Sequence, residues 1–234
     1  EWKYDRLFLK AHKDFFNMIN EVIKKNKSCT VLDLGCGDGS RTRYLSLNPN
    51  VSLIGIDISE SGIEKANSNK IGKATYYKMK VEELDFKPNF FDLIIDYGSF
   101  SSFKMKIVWP LINKLLKPEG SIIGIETLGD NPLFKIKRTL NIKRKKRTSN
   151  LYGNIISLNQ LFIWSKKCSR FNYKTYGFFS LFLTPLILIF NNSLINYFIK
   201  LADKLDEIIF MRFQFFQRNS FKVLFNNKFS NDLK

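Results

Sequence analysis

Three glycines at alternate positions, Gly35, Gly37 and Gly39, follow the apolar run Cys29-Thr30-Val31-Leu32 in the stretch Asp33-Leu34-Gly35-Cys36-Gly37-Asp38-Gly39. A bend without Cβ atoms lets a ligand touch the main chain, and amides at the start of a helix favour its polar or anionic groups. A nucleotide-like ligand is expected there. Asp57 closes a second apolar run, Val51 to Asp57, 18 residues beyond Gly39. That is near the separation at which an acidic side chain receives two ribose hydroxyls. These features leave a dinucleotide and other adenosine ligands open, although two details favour the latter. Asp33 would repel a pyrophosphate but attract an ammonium or sulfonium. The third glycine also comes one residue too early for the dinucleotide pattern G-x-G-x-x-G. Asp96 and Glu126 end two later apolar runs, where a carboxylate either meets ligand or caps a helix. Cys36 is expected to offer ligand contact only, because no partner that would stabilise a thiolate is evident. One histidine, His12, and three widely spaced cysteines, Cys29, Cys36 and Cys168, form no metal-ligand cluster. No metal is expected, and a reducing, cytoplasmic setting is. His12 lies among Phe15, Phe16, Met18 and Ile19 in a helical stretch, which suits a structural or surface histidine with catalysis as the lesser role.

These groups need strands to carry them. Cys29 onward reads as a buried strand, then the bend, then the start of a helix. Val51 to Asp57 is a second strand, and Ser59 is positioned to cap a helix through Ala66. Ala74 to Lys80, Phe91 to Asp96 and Ser121 to Glu126 are the third, fourth and fifth strands. A helix through Leu115 and Leu116 and a turn at Lys117 to Gly120 precede the fifth. Such alternation predicts an α/β fold with a doubly wound, mostly parallel sheet. Later, Ser157 to Gln160 has the capping-box pattern and opens a helix to about Cys168, and Tyr173 to Phe178 reads as a sixth strand. Phe178 to Phe190 is apolar but, at thirteen residues with Pro185 inside, too short to cross a bilayer. Apolar positions from Leu194 to Ile209 recur every three or four residues, predicting an amphipathic helix between strands six and seven. Phe221 to Phe225 reads as a reversed last strand, an edge partner for the sixth. The expected single unit comprises an N-terminal helix (1–28), a ligand-binding core (29–128) and a substrate-side loop, helical cap and last strands (129–234).

Val31 to Gly39 resembles motif I of class I S-adenosylmethionine-dependent methyltransferases, and the similarity runs through Glu126. The resemblance implies that Asp33, Gly35 and Gly37 surround the methionine part of the cofactor, and Cys36, Asp38 and Gly39, in the same bend, are expected cofactor contacts. By the same resemblance Asp57 holds the ribose, Ile58 packs on adenine, and Val81 and Glu82 meet the adenine edge; Asp96, at a strand end on the ligand side of the sheet, is a further expected cofactor contact. Lys80 occupies a place where many relatives carry Asp, which shifts adenine recognition onto the Val81 amide and Glu82. The family's sheet has seven strands with the last reversed, as Phe221 to Phe225 fits. Glu126-Thr-Leu-Gly-Asp130-Asn-Pro-Leu133, followed by Arg147-Thr148, resembles a bacterial subgroup of sugar, polysaccharide and natural-product pathways. That subgroup carries histidines where this chain has Asp130 and Asn154. Asp130 can replace one as a base and Asn154 cannot, so Asp130 and Glu126 are the expected proton acceptors.

The expected activity is methyl transfer to a small-molecule acceptor, a hydroxyl of a sugar or of a lipid-linked or natural-product metabolite. Charge qualifies the partners. Lys+Arg number 38 against 21 Asp+Glu, a net +17 that suits RNA or an anionic membrane but also follows from codons rich in A and T. The run Lys143 to Arg147 is solvated surface or a phosphate contact. An RNA methyltransferase is the rival, although Asp96-Tyr97-Gly98-Ser99 is not the motif of base-amine methylation. A non-catalytic cofactor-binding module at the inner membrane face is the other.

Overall fold

The computed structural model of the protein describes residues 7–131, 136, 156–166, 168–183, 193–210, 217, 220 and 222–229. Its strands are β1 (Cys29–Leu34), β2 (Val51–Asp57), β3 (Ala74–Lys78), β4 (Phe91–Tyr97), β5 (Leu116–Thr127), β6 (Cys168–Tyr176) and β7 (Lys222–Phe229). They form one seven-stranded sheet in the order β3-β2-β1-β4-β5-β7-β6. β1 to β5 pair in parallel, and β7 runs antiparallel to both β5 and β6. Strand order reverses at β1, flanked by β2 and β4, the point at which doubly wound sheets open a crevice at their carboxyl ends.

Helices cover both faces. α1 (Leu9–Lys25) buries Ala11, Phe15, Ile19 and Ile23 at four-residue steps and carries Lys24 and Lys25 in its last turn, where the helix dipole favours cations. It shares a core with α2 (Glu60–Ser68) and with α5 (Ser193–Phe210). α3 (Met105–Leu115) and α4 (Leu158–Ser165) cover the opposite face. The expected caps form. Ser59 Oγ accepts from Gly62 N at 3.1 Å, and Ser157 and Gln160 make the reciprocal capping box. α5 lies between β6 and β7, as its periodicity predicts.

Several expectations are corrected. The bend leads into a 3-10 turn, Arg43–Leu47, rather than an α-helix. Only residues 40–50 separate it from β2, Pro49 is among them, and Asp33 takes the Thr42 hydroxyl. β3 stops at Lys78, and β4 runs one residue longer, to Tyr97. The turn at Lys117 to Gly120 sits inside β5 as a bulge, since Phe91 pairs with Leu116 while Leu93 pairs with Ser121. α4 ends at Ser165, and Cys168 opens β6 five residues before the expected start. β7 is an interior strand, and β6 is the edge. Val223, Leu224 and Phe225 are fully buried, apolar on both faces, whereas β6 alternates polar with aromatic residues and tolerates solvent. The run Lys143 to Arg147, Asn154 and residues 184–192 lie outside the described residues.

Candidate functional site

The bend exists because its glycines take backbone angles that side chains resist. Gly35, Gly37 and Gly39 have φ of +68°, +57° and +68°. A Cβ on Gly35 would stand 2.5 Å from that of Ser99, so β1 and the turn after β4 meet there backbone to side chain. A Cβ on Gly37 or Gly98 would meet nothing within 4 Å. The open side of the bend thus lies between the carboxyl ends of β1 and β4. Asp57 braces it from β2, its carboxylate accepting Gly37 N at 2.9 Å and Ser59 N at 2.8 Å. Each of its oxygens keeps a lone pair for a further donor. Ile58, next along, is 69% exposed and offers an apolar face beside that carboxylate.

Below the bend lies a polar group without its full set of partners. Asp33 is buried; one oxygen takes the Thr42 hydroxyl, and Oδ1 has no hydrogen-bond partner among the described residues. Burial pushes its pKa up to about 7, against the Thr42 hydrogen bond and with the Asp57 charge adding to the rise. An incoming ammonium would relieve that cost, whereas a phosphate would add to it. The bend therefore fits a ligand with a cationic amino-acid end and a ribose, which is the shape of S-adenosylmethionine. The ring of Tyr76 supports the bend, filling the space a Cβ would need at Gly55, and burial raises the Cys36 thiol, whose sulfur packs there too. Cys36 N donates to Ile56 O at 3.0 Å. Asp38 is exposed and accepts Ser40 N at 3.0 Å, which keeps its carboxyl below the ordinary range.

The remaining predicted residues divide. Val81 is buried, and Glu82 accepts Lys104 N at 3.1 Å, capping the approach to α3. Lys80 pairs with Glu83 at 2.8 Å. Asp96 and Glu126, expected as cofactor contact and base, both brace backbone amides. Both are buried side by side, Asp96 accepting Ser99 N at 3.0 Å and Glu126 accepting Phe100 N at 2.5 Å and Thr127 N at 3.2 Å. Burial raises both carboxyl pKa values, and the Glu126 charge raises that of Asp96 further. Ser99, which also bonds Asp96, donates to Leu34 O at 2.7 Å and ties this pair to the end of β1. Asp130 accepts Leu158 N at 2.9 Å at the first turn of α4, a capping task.

Sequence reasoning missed Tyr97 and Arg41. Tyr97 ends β4, the His12 and Phe15 rings stand 5.4 Å from it, and the Arg41 guanidinium lies 5.3 Å over its face. No spacing rule links positions 12, 41 and 97; only the fold gathers them. Residues 25–174 match the family described as "Methyltransferase domain".

The chain belongs to that methyltransferase family. Among its relatives is thiocyanate methyltransferase 1 of Brassica oleracea, 36% identical over 98 residues, which cover 39% of this chain and 43% of the relative. Another is malonyl-[acyl-carrier protein] O-methyltransferase of Bacillus cytotoxicus, 25% identical over 68% of this chain and 56% of the relative. This methyltransferase-family chain thus spans about half the length of the curated relatives it matches. The plantazolicin methyltransferase BpumL, solved with S-adenosylhomocysteine, superposes with a TM-score of 0.56 at 20% identity, covering 97% of this chain and 85% of that one, a likeness of fold.

Proposed function

We propose that this methyltransferase-family chain transfers a methyl group from S-adenosylmethionine to a small-molecule acceptor, the hydroxyl of a sugar or of a lipid-linked or natural-product metabolite. The observation that supports this most is the bend itself, open at Gly37 yet braced by the Asp57 carboxylate 2.9 Å from the Gly37 amide. In this reading Asp33 and the Gly35-to-Gly39 main chain hold the methionine end, Asp57 the ribose, Ile58 the adenine face and the Val81 amide its edge. The bound cofactor supplies an electrophilic methyl group. The chain supplies binding and orientation, which together are worth roughly 7–11 kcal/mol of a barrier. The proton of a hydroxyl acceptor passes to Asp130 or Glu126, whose oxygens keep lone pairs beside the amides they accept, with His12, beside Tyr97, the lesser candidate. The three free cysteines suit a reducing, cytoplasmic setting.

Titration calorimetry with S-adenosylhomocysteine tests the cofactor site. Binding is expected, with at least about a tenfold loss in Asp57→Ala, the cost of a lost charged hydrogen bond. No binding, or binding indifferent to that substitution, overturns the proposal. Labelled methyl transfer into fractionated cell extract then identifies the acceptor. The +17 charge favours RNA as the competing acceptor, and label entering the RNA fraction alone would replace the small molecule with it.

A further inference from the structure

α5 has two apolar faces where a cap helix needs one. Ile195, Ile199, Ala202 and Asp206 are buried against the sheet. Away from them, Tyr197, Leu201, Leu205 and Ile208 are 63%, 42%, 39% and 57% exposed. At about 100° per residue these four fall within an arc of roughly 80°. The exposed Lys200 and Lys204 border that arc. The helix's acids face elsewhere. Asp203 and Glu207 line a cavity of about 640 Å³ with Lys10 and Lys174, and both lysines reach Glu207 at 3.0 Å. Asp203 and Glu207 thus stand on the cavity side of the helix, with the lysines between them and the apolar arc. Phe182, on the 3-10 turn packed against α5, adds another side chain 66% exposed.

We propose that this outer face of α5 docks on an anionic lipid bilayer, lying in the interface with its apolar arc among the acyl chains and Lys200 and Lys204 among the headgroups. An apolar sector bordered along one side by lysines is the pattern of an interfacial helix. Among the described residues no helix is long and apolar enough to cross a membrane, so contact is with the surface. A net charge of +17 on each chain opposes a second copy on the same face and favours anionic lipid. The orientation is set by Asp206, whose carboxylate accepts Gly177, Phe178 and Phe179 N at 2.9, 3.2 and 3.0 Å. Those amides follow the carboxyl end of β6, which lies level with Thr127 on β5, so α5 is pinned at the end of the sheet where the glycine bend opens. Docking would bring that end to the membrane. The surface does not depend on the methyl-transfer proposal.

Co-sedimentation of the full chain with vesicles tests it, comparing equal parts phosphatidylcholine and phosphatidylserine with phosphatidylcholine alone. Binding to the anionic vesicles is expected, lower with added salt and about tenfold weaker in Leu201→Asp. Lys200→Glu with Lys204→Glu should weaken it as well, while Lys70→Glu on another part of the surface should not. Thermal unfolding checks each variant, and should Leu201→Asp lose its transition, the solvent-facing lysine pair carries the test. Absence of binding, equal binding to both vesicles, or binding indifferent to the α5 substitutions overturns the proposal. So does a dimer that Leu201→Asp dissociates in a protein that ignores vesicles, which would assign the face to a second copy. None of these outcomes bears on S-adenosylhomocysteine binding.

Discussion

Asp33 carries the clearest electrostatic consequence in the molecule. Without ligand its carboxyl is neutral more readily than an exposed one, its pKa raised from 3.8 to about 7 chiefly by burial. For a raised carboxyl, folding is favoured by the neutral form. That contribution is complete below pH about 4 and lost as pH climbs through about 7. Asp33→Asn should therefore abolish this part of the pH dependence and make the ligand-free protein about 2 kcal/mol more stable at pH 8, read from urea denaturation across the range. S-adenosylhomocysteine, whose ammonium suits the ionised carboxylate, should flatten the same slope in the natural protein and do less in Asp33→Asn. An unchanged slope in the variant would place the titration elsewhere, with the buried Asp96 and Glu126 next in line.

Between α5 and the strand before it, one carboxylate does the joining. Asp206 receives three consecutive backbone amides that no regular element satisfies, and burial lifts its pKa to about 6 in spite of them. Asp206→Ala would leave those donors to compete for water in a buried setting, at a cost of about 2–3 kcal/mol. Denaturation should show that loss, and hydrogen exchange at Gly177 to Phe179 should quicken. Asp206→Asn, which keeps an acceptor, should recover part of both. The helix's apolar spacing is plain in the sequence, whereas this anchor is not, because an acid at the end of an i, i+4, i+7, i+11 stripe reads as a solvated position.

The order of strands governs how far a defect spreads. Among the described residues β7 alone pairs β6 with the rest of the sheet, and it meets β5 where the Phe225 ring lies across Gly124. A Cβ there would stand 2.3 Å from the ring. Gly124→Ala should cost about 1–3 kcal/mol by overpacking. Phe225→Leu in the same chain should restore part of it, a coupling that a double-mutant cycle measures. Loosening this pair should also loosen β6 and α5, seen as faster exchange in both, while β1 to β4 stay protected.

Local chemistry alone determined much of this protein. Apolar β-branched runs, alternate glycines and Asp57 foretell β1, β2, the bend and the kind of ligand it suits, because backbone conformation and hydrogen-bonding type are properties of neighbouring residues. Ser59 and Ser157 announce their helices for the same reason. Tertiary structure decided what depends on distance through space. It placed β7 inside the sheet because Val223 to Phe225 had two cores to fill. It gave Glu126 and Asp130 backbone amides to accept, and it brought His12 and Arg41 to Tyr97. A carboxylate or imidazole has the same formula wherever it stands; its protonation and its task follow from burial and from partners remote in the chain, which no local pattern encodes.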